Sequence, residues 1–155
     1  MSQLQPDNVF SGYGKTGLGI MEGKSYKLFS DGACRGNPGI GGAGAIITDA
    51  LKNVVWEGKE YLGHCTNNIA EYRALILGLN GALAQGFKSL EVYLDSELLA
   101  KQINGSYRVK NENLKILMKE VRSLLASFEF VEVKHVLRSH NSHADRLANL
   151  AIDEK

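Results

Sequence analysis

The feature of this 155-residue chain that most narrows its fold is a change in how its strand-like runs are joined. Up to residue 63 these runs follow one another across short turns: Tyr26-Lys27-Leu28-Phe29, then residues 42–48, then residues 54–63. Connections that short imply an antiparallel meander. From Thr66 onward, helical spacing separates each strand-like run from the next. Residues 67–85 carry Ile69, Tyr72, Ile76, Leu79 and Leu83 on one stripe, and Gly86 closes them. Residues 89–94 read as a strand, 96–103 as a short helix, 112–127 as a longer helix, 130–137 as a strand and 142–152 as a final helix. Helical crossovers join parallel strands. The order β-β-β-α-β-α-α-β-α therefore predicts an α/β fold, one mixed five-stranded sheet with helices on both faces.

A chain of this length can bury a core as one domain, expected over residues 24–155. Residues 1–23 are polar and glycine-rich without a period, and read as an extension outside that core. Gly14-Lys15-Thr16 resembles the end of a phosphate-binding loop, but Val9 stands where that loop needs glycine. Two G-x-G-x-x-G matches, at Gly12 and at Gly39, lack the flanking strand and helix of a dinucleotide site. A net charge of +1 means that a nucleic-acid partner would be held by a local patch rather than by the overall field. With no membrane-length apolar run and no leader pattern, the cytoplasm is the expected compartment. Cys34 and Cys65 have no metal-type spacing; free thiols are expected, with a disulfide between them as the alternative.

Four acids stand out. Asp31 follows the first strand, ahead of the turn-forming residues Gly32, Gly36, Asn37, Pro38 and Gly39. Asp95 ends the strand Glu91-Val92-Tyr93-Leu94, where ligands gather in open α/β sheets. Glu71 shares a mostly apolar stripe with Ala74, Leu75, Gly78 and Leu79, so its charge needs a partner. Asp145 lies in the first turn of the last helix. Each has an ordinary explanation: a turn for Asp31, a helix cap for Asp95, a dipole for Asp145. Together they imply more. Parallel neighbouring strands would deliver Asp31 and Asp95 side by side, with Glu71 brought toward the same rim. Clustered carboxylates repel unless cations are present, and two Mg²⁺ ions roughly 4 Å apart would answer that charge.

The blocks SDGACRGNPGIGGAGAII, TNNIAEYRALILGL, VYLDSELLAKQI and HADRLANLA resemble, in order, those of type 1 ribonuclease H over residues 24–152. The resemblance implies the ribonuclease H-like fold and a Mg²⁺-dependent endonuclease, with Mn²⁺ able to substitute. It implies cutting of the RNA strand of an RNA–DNA hybrid to leave 5′-phosphate and 3′-hydroxyl ends. Asp31, Glu71, Asp95 and Asp145 fall on the family's metal-binding carboxylate positions. Gly32, Ala33, Cys34, Asn37, Thr66, Asn67 and Asn68 fall on or beside its substrate contacts. Small residues admit the backbone to a minor groove displaying 2′-hydroxyls, and amides can bond sugars and phosphates.

Two departures from the family are visible. Many relatives carry a histidine in a loop before the last helix; here that loop is short, and His140 is the candidate replacement, with His135 and His143 expected at the surface or in packing. No lysine-rich handle interrupts residues 105–119, where Arg108, Lys110, Lys115 and Lys119 are spread out. The expectation is a monomeric enzyme. A hybrid-binding module without activity, and another nuclease or a phosphatase on the same scaffold, are the alternatives.

Overall fold

A computed structural model describes residues 10–14 and 25–155. It contains every strand and helix expected from the sequence, plus one strand. The elements are β1 (Phe10–Gly14), β2 (Tyr26–Gly36), β3 (Gly39–Thr48), β4 (Val54–Cys65), α1 (Asn67–Ala84), β5 (Ser89–Leu94), α2 (Glu97–Ile103), α3 (Glu112–Leu125), β6 (Phe130–His135) and α4 (Ser142–Asp153). A 3₁₀ turn, Arg138–His140, leads into α4.

The sheet order is β1-β6-β5-β2-β3-β4. β2, β3 and β4 form the antiparallel meander, and β2, β5 and β6 run parallel. The additional strand, β1, pairs antiparallel with β6. It lies within the segment read as an extension; the other residues of 1–23 lie outside the described residues. Ser-Gly-Tyr-Gly carries no strand signal of its own, and the free edge of β6 supplies the pairing. β1 takes up residues 10–14 of the stretch that resembles a phosphate-binding loop, a second argument against that loop.

β2 differs from its sequence reading in an informative way. Glycines were expected to end it beside Asp31, yet it stays paired with β3 as far as Gly36↔Gly39. Its pairing with β5 stops at Ser30↔Leu94. Asp31 is therefore inside a strand, but at the rim of the parallel half of the sheet, beside Asp95.

One face of the sheet is dry. Leu28, Ala45, Ile47, Val92, Val131 and Val133 pack under Leu75 and Leu79 of α1 and Val121 and Leu125 of α3. The buried Tyr72 hydroxyl donates to Gln102 Oε1 (2.6 Å), tying α1 to α2. On the other face α4 lies across β3, and Gly44 explains how closely: a Cβ there would sit 2.4 Å from the Ala144 carbonyl oxygen. Cys34 and Cys65 are both free thiols; Cys34 Sγ donates to the Cys65 carbonyl (3.0 Å). No helix among the described residues is long and apolar enough to cross a membrane.

Candidate active site

The rim where β5 leaves the sheet gathers the acids. One carboxylate oxygen from each of Asp31, Glu71 and Asp95 lies within 4.8 Å of the others. Each is placed by a different element. Asp31 comes from β2, where only 4% of its surface is exposed. Glu71 comes from the first turns of α1, and its Oε1 accepts from the Gly32 backbone N–H (3.2 Å). Asp95 follows β5 directly. The capping role that could have explained Asp95 belongs instead to Ser96, whose Oγ accepts from the Leu99 N–H at the start of α2 (3.1 Å). Asp145, from α4, lines the same cavity of about 450 Å³.

The electrostatics of this cluster are those of charges in need of a counter-ion. Burial, then the neighbouring Glu71 and Asp95, then Asp145 push the Asp31 carboxyl up to about 9. Burial and Asp95 push Glu71 up to about 8, against the pull of the Gly32 N–H and the Arg138 charge. Without a cation, burial and mutual repulsion favour proton uptake by this cluster well above the ordinary carboxylate range. An all-oxygen donor set with so unfavourable a burden of negative charge fits a hard divalent ion such as Mg²⁺ or Mn²⁺.

Of the residues expected to meet substrate, Gly32, Ala33, Cys34, Asn67 and Asn68 line the cavity. Gly32 has a further structural reason: a Cβ there would sit 2.3 Å from the Ala70 carbonyl carbon and 2.5 Å from the Glu71 nitrogen. Its missing side chain lets α1 dock on β2. Gly32→Ala must push the helix and Glu71 away, so the melting temperature should fall by about 5–10 °C and turnover at least about tenfold. Thermal melts and hybrid cleavage check this; unchanged values would remove the close-approach explanation.

Asn37 and Thr66 are not among the cavity-lining residues. Asn37 Oδ1 accepts from the Asn67 N–H (3.1 Å) and Thr66 Oγ1 from the Ile69 N–H (3.2 Å), so both satisfy donors at the start of α1. His140 is also elsewhere, lining a smaller cavity with Phe29, Ile46 and His143. A 3₁₀ turn separates successive side chains by roughly 120°, and here Arg138 lines the acidic cavity while His140 does not. A proton shuttle contributes about 10²–10⁴-fold; His140→Ala should instead leave turnover within about twofold. A hundredfold loss would restore it to the site. His143 pairs with Glu57 (3.0 Å) at the surface.

Three cavity or rim residues were not singled out from the sequence: Ser96, Arg138 and the buried Asn141. Arg138 carried a signal as a cation in the short loop before α4.

A match to the reverse transcriptase-like family spans residues 29–151. The bifunctional protein Rv2228c of Mycobacterium tuberculosis is 41% identical over 125 residues, covering 80% of this chain but 34% of that protein. The chain thus spans about a third of the length of its mycobacterial relatives. Ribonuclease HI of Halobacterium salinarum is 39% identical over 132 residues, covering 85% of this chain and 66% of that protein. Among solved structures, LC11-RNase H1 in complex with RNA/DNA hybrid superimposes with a TM-score of 0.79 at 37% identity, covering 83% of this chain and 97% of that one. Sheet order, flanking helices and a rim of carboxylates define a ribonuclease H-like domain. The chain belongs to the type 1 ribonuclease H family, in its compact form without a basic handle.

Proposed function

We propose that this protein is an endonuclease that hydrolyses the RNA strand of RNA–DNA hybrids. Asp31, Glu71, Asp95 and Asp145 would hold two Mg²⁺ ions, with Mn²⁺ able to substitute, and the products would carry 5′-phosphate and 3′-hydroxyl ends. The observation that carries this reading is the convergence of Asp31, Glu71 and Asp95 oxygens within 4.8 Å, in a cavity whose other walls can take a nucleic-acid backbone. Bound Mg²⁺ would supply charge neutralisation for the attacking and leaving oxygens of a phosphodiester. The chain's own residues do the rest. The carboxylates fix the ions, and Gly32, Ala33 and Cys34 offer a strand backbone that a sugar can approach. Asn67 and Asn68 present exposed amides at the N-terminus of α1, where a phosphate is electrostatically welcome. Arg138 lines the same cavity and adds positive charge there. A similar protein, LC11-RNase H1, has been solved with an RNA/DNA hybrid, which supports the choice of substrate.

The test is cleavage of end-labelled hybrid, duplex RNA and duplex DNA of one sequence, with Mg²⁺ and with EDTA. The reading expects cutting of the hybrid's RNA strand alone, none in EDTA, and product 3′ ends that a polymerase extends. Equal cutting of duplex DNA, or cutting in EDTA, would defeat it.

Hybrid binding should depend only modestly on salt. Arg35 pairs with Asp153, Arg73 with Glu60 and Lys115 with Glu112, and Arg138 is the one basic side chain among the residues that line the acidic cavity. A slope of log affinity against log salt of about −2 to −3 follows. A slope near −6 would show an extended basic grip instead.

A further inference from the structure

We propose that Asn141 is the positioning residue of this centre, holding the Asp95 carboxylate toward Asp31 and Glu71; the inference rests on the metal-site reading above. Asn141 occupies the N-cap place of α4, where an asparagine side chain ordinarily accepts from the first turn of its helix. Here it makes no such bond. Its side-chain amide Nδ2 donates instead to Asp95 Oδ2 (2.8 Å) and to the Ser30 backbone carbonyl (2.8 Å). Both partners can only accept, so a flipped amide would set oxygen against oxygen at each contact.

The partners are 46 and 111 residues away in sequence and meet at the rim itself. Ser30 is the last β2 residue paired with β5, and Asp31 follows it. One amide thereby links α4, which carries Asp145, to β2 and to the end of β5. With Oδ2 held, the Asp95 carboxylate cannot turn about its Cβ–Cγ bond without losing a hydrogen bond. Asn141 is only 1% exposed, and its Oδ1 is buried with no protein partner. A residue serving packing alone would not keep an unpaired buried oxygen; one whose amide donors are needed in that place would.

Asn141 is predicted to act on ion affinity through Asp95. Outer-shell partners of metal ligands contribute about 10–100-fold in affinity or activity. Calorimetric titration of the full chain with Mg²⁺, without nucleic acid, should show Asn141→Ala binding about tenfold more weakly than the parent. Asn141→Asp, which turns a carboxylate toward Asp95, should be weaker still. Cleavage by Asn141→Ala should need more Mg²⁺ but recover most of its maximal rate at saturation, a split that simple loss of stability would not produce. In an Asp95→Asn background Asn141→Ala should add less than about twofold. If Asn141→Ala does not fold, Asn141→Ser decides on the same titration. Folded variants that bind Mg²⁺ within about twofold of a parent that itself binds Mg²⁺ and cuts hybrid would overturn this inference alone. A parent with no Mg²⁺ affinity would overturn the metal-site reading and this inference together.

Discussion

Asp95→Asn is expected to abolish hybrid cleavage, lowering kcat by at least about 10³-fold, while the protein stays folded. A loss that large corresponds to about 4 kcal/mol of transition-state stabilisation, within what a divalent ion supplies when its ligand set is complete. The fold should persist because the substitution keeps the side chain's shape and removes no helix cap; Ser96 already performs that task. A carboxamide is a poor ligand for a hard cation beside two carboxylates, so affinity for the ion and its placement suffer together. Steady-state cleavage and a thermal melt in the same buffer check both halves. Cleavage at the parental rate would show that the acid cluster is not where the chemistry happens.

Asp31→Asn is expected to remove activity equally well, yet to make the metal-free protein more stable. Asp31 and Glu71 are raised from 3.8 and 4.5 to about 9 and about 8. The folded chain therefore binds more protons than the unfolded chain between these limits. Stability is fully present below the unfolded values and is lost as pH rises through the folded ones. In EDTA the protein should thus melt at a lower temperature at pH 8 than at pH 5.5 as far as this site contributes. Saturating Mg²⁺ should flatten the difference, because the ions replace the protons. Asp31→Asn removes the most strongly perturbed acid. It should raise metal-free stability near pH 7.5 by about 1–3 kcal/mol, or about 3–8 °C in melting temperature. A variant less stable than the parent in EDTA would mean that the cluster is not under electrostatic tension.

The sequence contained the elements and the acids for different reasons. Periods of two and of about 3.6 residues are local properties, so Ile69, Tyr72, Ile76 and Leu79 mark α1 and Val131 and Val133 mark β6 without reference to anything distant. The acids were visible because Glu71 interrupts an apolar stripe and Asp95 ends a strand. What escaped was set by tertiary partners. Gly32 reads as a turn residue, but its glycine answers the α1 backbone lying against it. Asn37 and Thr66 read as substrate contacts, and what local sequence did not show is that their oxygens also accept from N–H groups of α1. Asn141 is just the residue before the last helix as far as local sequence goes, while its amide donates to Asp95 and Ser30, 46 and 111 residues away. β1 became a strand only because β6 offers an edge. His140 looked suitable by residue type, and the direction of one 3₁₀ turn gave the wall of the acidic cavity to Arg138.

The most direct measurement is a crystal of the active protein soaked in Mn²⁺ and examined by anomalous scattering. Density bound by the carboxylates of Asp31, Glu71 and Asp95 is the predicted result. A protein that cleaves hybrid in the same Mn²⁺ buffer but shows no ion at those three carboxylates would contradict it.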